Sequence, residues 1–573
     1  MLQTLTTPRG ETLSGTPWQV YPRPQMRRDS YINLNGEWDF AVSSEKPATF
    51  DMSITVPFCP ESRLSGIGRH FEEGAPLWYR RKFVLPEGFR RERVLLHIGA
   101  ADQTAEVFVN GQHLCRHEGG YASFSVDITE ALAEENELVI RCTDDLHDQA
   151  FPYGKQVRNR GGMWYTPVSG IWQTVWLESV PEAYIEKLNI ENHGASVTIS
   201  TVPPLEGTVN VEQLGQFSLE NGRVTIAPEN PHFWCPDDPY LYRFTLETAQ
   251  DRVESYFAIR SLEIKKVGEY PRLCLNGKPW FFHGLLDQGY WPEGLLTAPA
   301  PESYADDILA MKRLGFNTLR KHIKVEPEEF YYQCDRLGMI VWQDMVNNGS
   351  YRYFRDTVLP TVGIQKRNDR LLHRDERSRN AFRHGAADAV NQLKNHPCIC
   401  YWTIFNEGWG QFDSDRVCRW FRTLDATRFI DTTSGWFRGK NTDVDSRHQY
   451  FGKLRLKGDG LRPLVLSEFG GKTWRVEGHI FNPGKTYGYG ACPTKEALNE
   501  AVAALYRESI LPAVEKGLCA AIYTQVSDVE DEVNGLMTYD RRVVKPDGDT
   551  MLPIAQALRD AMEKTVASFE KMG

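Results

Sequence analysis

The stretch that most constrains this chain is residues 399–411, ICYWTIFNEGWGQ. Residues 399–405 are apolar and β-branched or aromatic apart from one threonine, the pattern of a strand buried on both faces, as in a parallel sheet. The sequence then turns polar at once with Asn406 and Glu407, and Gly408-Trp409-Gly410 follows. An amide and a carboxylic acid at the C-terminal end of a buried strand sit where a (β/α)8 barrel carries its catalytic groups. A strand-end glutamate can equally be a helix cap or an ion-pair partner, so the rest of the chain has to decide.

From about residue 267 onward, apolar strands alternate with helical segments, the signature of parallel βαβ units. Strands are expected at 280–284, 317–321, 339–344, 399–405, 427–432, 447–450, 464–468 and 519–525. Helices are expected between them, for example at 303–314, 327–337, 376–394 and 495–516. Eight strands over 267–573 make one TIM barrel.

The chain has 573 residues, too long for one core. Residues 1–181 read as all-β, with short strands such as LNGEWDF (34–40), LWYRRKFVL (77–85), RVLLHIG (93–99) and ELVIRCT (137–143). Asn110-Gly111 is a two-residue hairpin signal. This spacing suggests a sandwich or jelly roll. Residues 144–161 interrupt it with a long polar loop, a length that usually marks function or disorder. Residues 182–266 form a smaller β-rich unit compatible with an immunoglobulin-like β-sandwich. The expected architecture is therefore multidomain: a β-sandwich jelly roll, an immunoglobulin-like β-sandwich and a C-terminal TIM (β/α)8 barrel.

Composition removes some classes of function. Net charge is −10 and no basic patch stands out, which argues against nucleic acid. No stretch approaches the roughly 20 apolar residues of a membrane span. The N-terminus has no apolar run, so no signal peptide is expected. Eleven scattered cysteines form no framework and suggest reduced thiols in a cytoplasm. Cys398 and Cys400 have no second Cys or His cluster beside them and read as core. Homo-oligomerisation is left open.

The expected barrel strands end in His283-Gly284, Arg320 and His322, Gln343-Asp344, Asn406-Glu407, His448 and Tyr450, Ser467-Glu468, and Tyr523 with Gln525. Polar groups gathered at one rim of an apolar barrel are costly unless used. Glu407 (FNEGWG) and Glu468 (LSEFGG) each end a buried strand with glycine within two residues. On the fourth and seventh strands they face each other across the mouth. Two facing carboxyls suggest glycoside hydrolysis, one protonated to donate to the leaving oxygen and one ionised to attack the anomeric carbon. Arg320 can hold the nucleophile ionised, Tyr450 can bond the same carboxylate, and Asn406 can bond the sugar 2-hydroxyl. A structural ion pair for Arg320 and plain packing for Tyr450 are the competing readings.

On these motifs the chain resembles glycoside hydrolase family 2 over nearly its whole length. NGEWDF, LWYRRKF, VFVNGQ and GIWQTVWLE look like the family's sugar-binding jelly roll, and 182–266 like its immunoglobulin-like domain. FNEGWG looks like the acid/base motif, which implies Glu407 in that role with Asn406 beside it. LSEFGG looks like the nucleophile motif, which implies Glu468. Arg320 in FNTLRKH matches the family's second-strand arginine. The resemblance implies a retaining exo-β-glycosidase acting by double displacement on a carbohydrate substrate, without an organic cofactor. The sequence shows no clear metal-ligand set.

Two departures bear on the sugar. Tyr523 stands where many members have a tryptophan flooring the subsite. Glu532-Val533-Asn534 stands where glucuronidases carry Asn-x-Lys to grip the sugar carboxylate, and an acidic residue there would repel it. Lys324, Arg438 or a loop arginine is left to substitute. Residues 527–534, SDVEDEVN, read either as a solvated loop or as hydroxyl-gripping carboxylates, with Glu532 the candidate. Residues 344–373 form a long aromatic and cationic loop suited to walling the aglycone site or to a subunit contact. Trp409 and Trp291 follow strand ends and suit sugar stacking if exposed. The candidate substrate-binding set is Asn406, Arg320, His322, Tyr450, His448, Asp344, Trp409, Tyr523, Gln525 and Glu532. A neutral, β-galactosidase-like sugar is expected, with β-glucuronidase, β-mannosidase and arabinopyranosidase as alternatives. A catalytically idle carbohydrate-binding protein is the alternative from a different class.

Overall fold

The structure, a computed structural model, describes residues 2–361, 363–365, 368–452, 454 and 456–570. Its N-terminal part packs a six-stranded antiparallel sheet on a four-stranded one. The larger holds Met52–Val56, Gly36–Val42, Leu77–Phe83, Asn136–Thr143, Thr104–Val109 and Gln112–Glu118, in that spatial order. The smaller holds Tyr31–Asn33, Val175–Val180, Arg93–Ile98 and Phe124–Asp127. Alternating inward residues of both sheets, among them Trp38, Phe40, Tyr79, Leu96, Val107, Ile140 and Leu177, form one core. Asn110 and Gly111 have φ of +50° and +81° and link Thr104–Val109 to Gln112–Glu118, the left-handed pair that a tight hairpin requires.

A three-stranded sheet (Lys187–Asn192, Val197–Val202, Arg223–Ile226) faces a four-stranded one (Gly215–Leu219, Gly207–Val211, Tyr242–Thr248, Arg252–Phe257) around Ile190, Ile199, Val209, Leu246 and Val253. Buried Arg28 ties the two sandwiches together. It reaches Glu178 at 3.0 Å and Asp251 at 2.7 Å.

The barrel strands are β1 (Phe282–Asp287), β2 (Thr318–Lys321), β3 (Ile340–Asp344), β4 (Ile399–Asn406), β5 (Phe429–Ser434), β6 (Asp445–Gln449), β7 (Leu464–Phe469) and β8 (Leu518–Tyr523). Their parallel ladder runs β5-β4-β3-β2-β1-β8-β7-β6. Between β5 and β6, where that ladder has its two ends, Ser434 Oγ lies 3.4 Å from Ser446 Oγ, and both reach Ser467 Oγ. At the start of Glu376–Leu393, Asp375 accepts the Arg377 and Ser378 N–H groups. Trp172, Tyr121 and Tyr165 of the sandwich join the barrel core, so the first sandwich is packed onto the barrel.

Several sequence expectations shift: the sixth strand starts two residues early and stops before Tyr450, and the eighth stops at Tyr523, leaving Gln525 beyond it. The first strand is not 280–284 but Phe282–Asp287, so it ends in Asp287 rather than His283-Gly284. His283 lies near the strand's start, bonded to Gly315 O and the Tyr506 hydroxyl, and burial drives its pKa down to about 3. The aromatic cluster WFF marks the entry to the strand, and Leu285-Leu286 its middle. The fifth strand begins two residues late, because Asp425 accepts the Thr427 N–H and hydroxyl and pairs with Arg428, which holds that segment in a turn. The helix expected over 495–516 is Lys495–Leu505, a π turn at Tyr506–Ile510 and a short Leu511–Val514. Pro512 lacks the N–H an α-helix needs there.

Candidate active site

Arg320, fully buried at the end of β2, is the centre of the barrel mouth. Its Nε donates to Asp344 Oδ1 at 2.9 Å, Nη1 to Glu468 Oε1 at 2.9 Å and to Ser467 O at 3.0 Å, and Nη2 to Asn406 Oδ1 at 2.8 Å. One planar guanidinium thus fixes residues from β3, β4 and β7. Because Asn406 accepts through Oδ1, its amide N–H groups point elsewhere and are free to donate to a ligand. Asp344 uses its other oxygen on His322 Nδ1 at 2.7 Å. Both oxygens are engaged within the protein, so Asp344 holds Arg320 and His322 in place.

Glu407 follows β4 with φ +52°, a left-handed backbone that side-chain-bearing residues rarely adopt. This turn swings its carboxyl inward. Gly410 completes the turn at φ +62°, where an added Cβ would lie 2.3 Å from Asn348 O. Glu407 Oε1 is 2.8 Å from His448 Nδ1, and His448 Nε2 is 3.6 Å from Glu468 Oε1. A carboxylate oxygen of each glutamate and a nitrogen of His448 all lie within 4.8 Å of one another. His448, expected only as a sugar contact, therefore stands between the two acids.

Burial alone would raise the Glu468 carboxyl. Neighbouring His448, Arg320 and His322 and the Tyr450 hydroxyl outweigh it and lower the pKa from 4.5 to about 2. His322 is itself held down to about 4, chiefly by burial, and is neutral at pH 7. His448, Arg320 and Tyr450 are then the groups that hold the Glu468 carboxyl down. Tyr450 donates its hydroxyl to Glu468 Oε2 and stacks on Tyr489 at 4.2 Å. Removing that hydroxyl raises the Glu468 pKa. Tyr450→Phe is expected to move the acid limb of kcat/KM upward by about one unit and to lower kcat. A pH profile with an unmoved acid limb would show that the contact does not tune this carboxylate.

The remaining expected residues divide. Gln525 is buried past β8, donating to Asn534 Oδ1 at 2.9 Å and accepting from Gln288 Nε2 at 2.8 Å. Asn534 in turn donates to Glu532 Oε1 at 3.0 Å, and Glu532 Oε2 accepts from the Tyr165 hydroxyl. Residues 527–534 are buried throughout, so the solvated-loop reading is wrong. Tyr523 accepts the Lys472 N–H with its hydroxyl and its ring lies under Gly470. It backs the loop after Glu468 instead of offering an open sugar floor. Trp409 and Trp291 are each 2% exposed and are not open stacking platforms. Trp409 stacks on Trp164 at 5.1 Å, and Trp291 lies under the Arg541 guanidinium. The basic substitutes are engaged as well. Lys324 bonds Leu296 O and Glu326, and Arg438 pairs with Asp445.

The sequence missed Lys155, Trp164 and Tyr165, which come from the sandwich, and Tyr489 after β7. For Lys155 the unusual length of loop 144–161 was the available signal; Trp164, Tyr165 and Tyr489 had none. That loop reaches the barrel: Tyr153 donates to Gly349 O at 2.8 Å, and Asn348 donates to Ala150 O at 2.6 Å. The loop over 344–373 is thus partly a contact with the sandwich, while Tyr353 and Phe354 on it stay exposed.

Although the sequence showed no metal-ligand set, the fold assembles two three-ligand groups among the described residues: Glu407, His448 and Glu468, and the more exposed Glu73, Asp145 and His147. An ion in the first would occupy both facing glutamates. All eleven cysteines are free, with Cys398 and Cys400 fully buried. Among the described residues no helix is long and apolar enough to cross a membrane.

Three family models match this chain. They are "Glycosyl hydrolase 2 galactose-binding domain-like" over residues 69–162, "Glycosyl hydrolases family 2" over 182–260, and "Glycosyl hydrolases family 2, TIM barrel domain" over 266–454. A β-galactosidase of Thermoanaerobacter pseudethanolicus is 24% identical over 416 residues, 66% of this chain and 52% of that protein. A β-glucuronidase of Felis catus is 26% identical over 465 residues, 68% of this chain and 65% of that one. The chain spans about half the length of the first curated relatives it matches. Among solved structures, a β-glucuronidase from an uncultured Clostridium sp. superposes with a TM-score of 0.71 at 18% identity, covering 95% of this chain and all of that one. The β-D-glucuronidase of Dictyoglomus thermophilum gives 0.71 at 18%, covering 95% and 98%. At such identity the structural likeness speaks for the fold.

Proposed function

Because the chain belongs to glycoside hydrolase family 2, we propose that it is a retaining exo-β-glycosidase. It would remove terminal non-reducing β-linked sugars by double displacement, with a neutral, β-galactosidase-like pyranoside as substrate. The observation that carries the reading is the closeness of the two glutamates, whose carboxylate oxygens approach within 4.8 Å. Retaining enzymes place their carboxyl groups about 5–5.5 Å apart, whereas an inverting pair needs about 6.5–9.5 Å to admit a water.

In this mechanism Glu468, kept ionised by His448, Arg320 and Tyr450, attacks the anomeric carbon. Glu407 gives its proton to the departing glycosidic oxygen. The glycosyl ester is then hydrolysed by a water that Glu407, now a base, deprotonates, and Glu468 leaves as a carboxylate. Asn406, oriented by Arg320, donates to the sugar 2-hydroxyl and so aims that hydroxyl's own proton at Glu468, a bond that strengthens as positive charge builds on the ring and acidifies the hydroxyl. His448, touching both acids, holds their spacing.

The test is the anomer formed first, followed by proton NMR on a nitrophenyl β-glycoside. The β-hemiacetal is expected, and initial release of the α-anomer would overturn the assignment. On a panel of nitrophenyl β-galactoside, β-glucuronide, β-mannoside and α-L-arabinopyranoside, kcat/KM is expected to favour the galactoside by about tenfold or more. The second reading is β-glucuronidase, favoured by the names of several relatives. Against it stands the buried Glu532 carboxyl beside the site, and a panel led by the glucuronide would decide for it.

A further inference from the structure

Lys155 lies in the loop that the sandwich extends to the barrel mouth, and it is only 6% exposed. Its flanks are fixed. Gly154 sits at φ +67°, where an added Cβ would be 2.9 Å from the Tyr121 hydroxyl and 3.0 Å from Ile323 O. Gln156 donates to Asp102 and Tyr121 at 2.9 Å and accepts the Val168 N–H at 2.7 Å. The Lys155 side chain projects from this pinned segment over two aromatic rings, 5.1 Å from the centroid of Trp409 and 5.8 Å from that of Tyr165. Trp409 is two residues from Glu407, and Tyr165 donates to Glu532.

Among the described residues no carboxylate or carbonyl accepts a hydrogen bond from the Lys155 ammonium. Other inward-facing cations differ: Lys321 is paired with Asp287 and Glu326, Lys545 with Asp528, and Arg160 with Asp531. An ammonium that faces two rings, with a carboxylate nearby but no direct acceptor, keeps its N–H groups for a ligand. Trp409 Nε1, on the ring that faces the Lys155 ammonium, is buried without a protein partner among the described residues. Glu532 supplies the opposite charge at 2% exposure, with one oxygen on Tyr165 and one on Asn534. Burial raises its carboxyl, and the Lys155 charge works against that rise.

We propose that Lys155 and Glu532 together bind one ring hydroxyl of the sugar, so that a loop of the N-terminal sandwich sets which pyranoside the barrel accepts. A hydroxyl is the substituent that meets both groups at once. Its oxygen accepts from the ammonium and its proton goes to the carboxylate. A uronate carboxylate meets Lys155 but brings a second negative charge toward Glu532. The inference rests on the glycosidase reading above and deepens it by assigning the hydroxyl-selecting pair.

The test pairs protein variants with deoxy substrates. Nitrophenyl glycosides of the best sugar, each lacking one non-anomeric hydroxyl, are compared on wild type, Lys155→Met and Glu532→Gln. Wild type is expected to lose about 10- to 100-fold in kcat/KM on one of the deoxy analogues. Each variant is expected to lose a similar factor on the parent glycoside and little further on that same analogue. Lys155→Arg, which keeps the charge, should restore part of the discrimination, and thermal unfolding checks that each variant folds. If every deoxy penalty is the same in Lys155→Met as in wild type, the pair does not bind a hydroxyl. If wild type prefers the glucuronide and Lys155→Met abolishes that preference, Lys155 binds a carboxylate and the inference is overturned. A wild type that cleaves no glycoside overturns the activity itself, a separate outcome.

Discussion

Glu468→Gln is expected to lower kcat/KM on an activated aryl β-glycoside by about 10⁵-fold, because an amide cannot form the covalent intermediate and no other carboxylate on that face replaces it. The amide is the informative substitution. Glu468 accepts from Arg320 Nη1 at 2.9 Å, from a guanidinium that is wholly buried and also bonds Asp344 and Asn406. Alanine would leave part of that charge uncompensated, a change that costs about 3–5 kcal/mol in buried pairs and confuses lost chemistry with lost stability. Glutamine keeps an oxygen for Arg320, so thermal unfolding at neutral pH should fall less than in an alanine variant, while turnover collapses. The same carboxylate also predicts a pH dependence of stability. Its pKa falls from 4.5 to about 2 on folding, so its ionisation stabilises the fold above pH 4.5 and that contribution is lost as pH falls toward 2. In Glu468→Gln this part of the acid dependence should vanish. A variant that keeps more than about one hundredth of wild-type kcat/KM would sink the nucleophile assignment.

The legible parts of this site are those written as strand ends. Glu407 and Glu468 stood out because a continuous apolar run cannot end in a carboxylic acid without cost, and because glycines mark the turns that re-aim it. Arg320 was legible for the same reason on β2. What could not be read was which loops cover those ends. Trp409 looked like an exposed platform because nothing in NEGWG announces that Trp164, 245 positions earlier in the chain, will lie against it. Lys155 was invisible because a lysine in a polar loop resembles any surface lysine. Only packing of the sandwich on the barrel buries it. The run 527–534 misled in the opposite sense, since its acids look solvated until Lys545, Arg160, Asn482 and Tyr165 arrive as partners from distant segments. His448 was placed in the site, yet its position between the two glutamates depends on β5 and β6 being joined by serines there, which no local pattern encodes.

Glu407→Ala should divide substrates by leaving group. With a poor leaving group, such as a methyl glycoside or a disaccharide, the departing oxygen needs a proton, and a loss of about 10⁴-fold in kcat/KM is expected. With a dinitrophenyl glycoside the first step needs no acid, so kcat/KM should fall far less, while kcat drops because water attacks the intermediate without its base. KM should fall with it as that intermediate accumulates. Azide, which needs no deprotonation, should then raise kcat and give the β-glycosyl azide. The backbone sharpens the comparison. Glu407 is held at φ +52° with its N–H on Ser434 O, so alanine at this position inherits the same strained turn. Loss of the Glu407 contact to His448 Nδ1 is common to all substrates and cannot produce a dependence on the leaving group. Equal losses on the dinitrophenyl and methyl glycosides, with no azide adduct, would make Glu407 a support for His448 and move the proton donor elsewhere in the mouth.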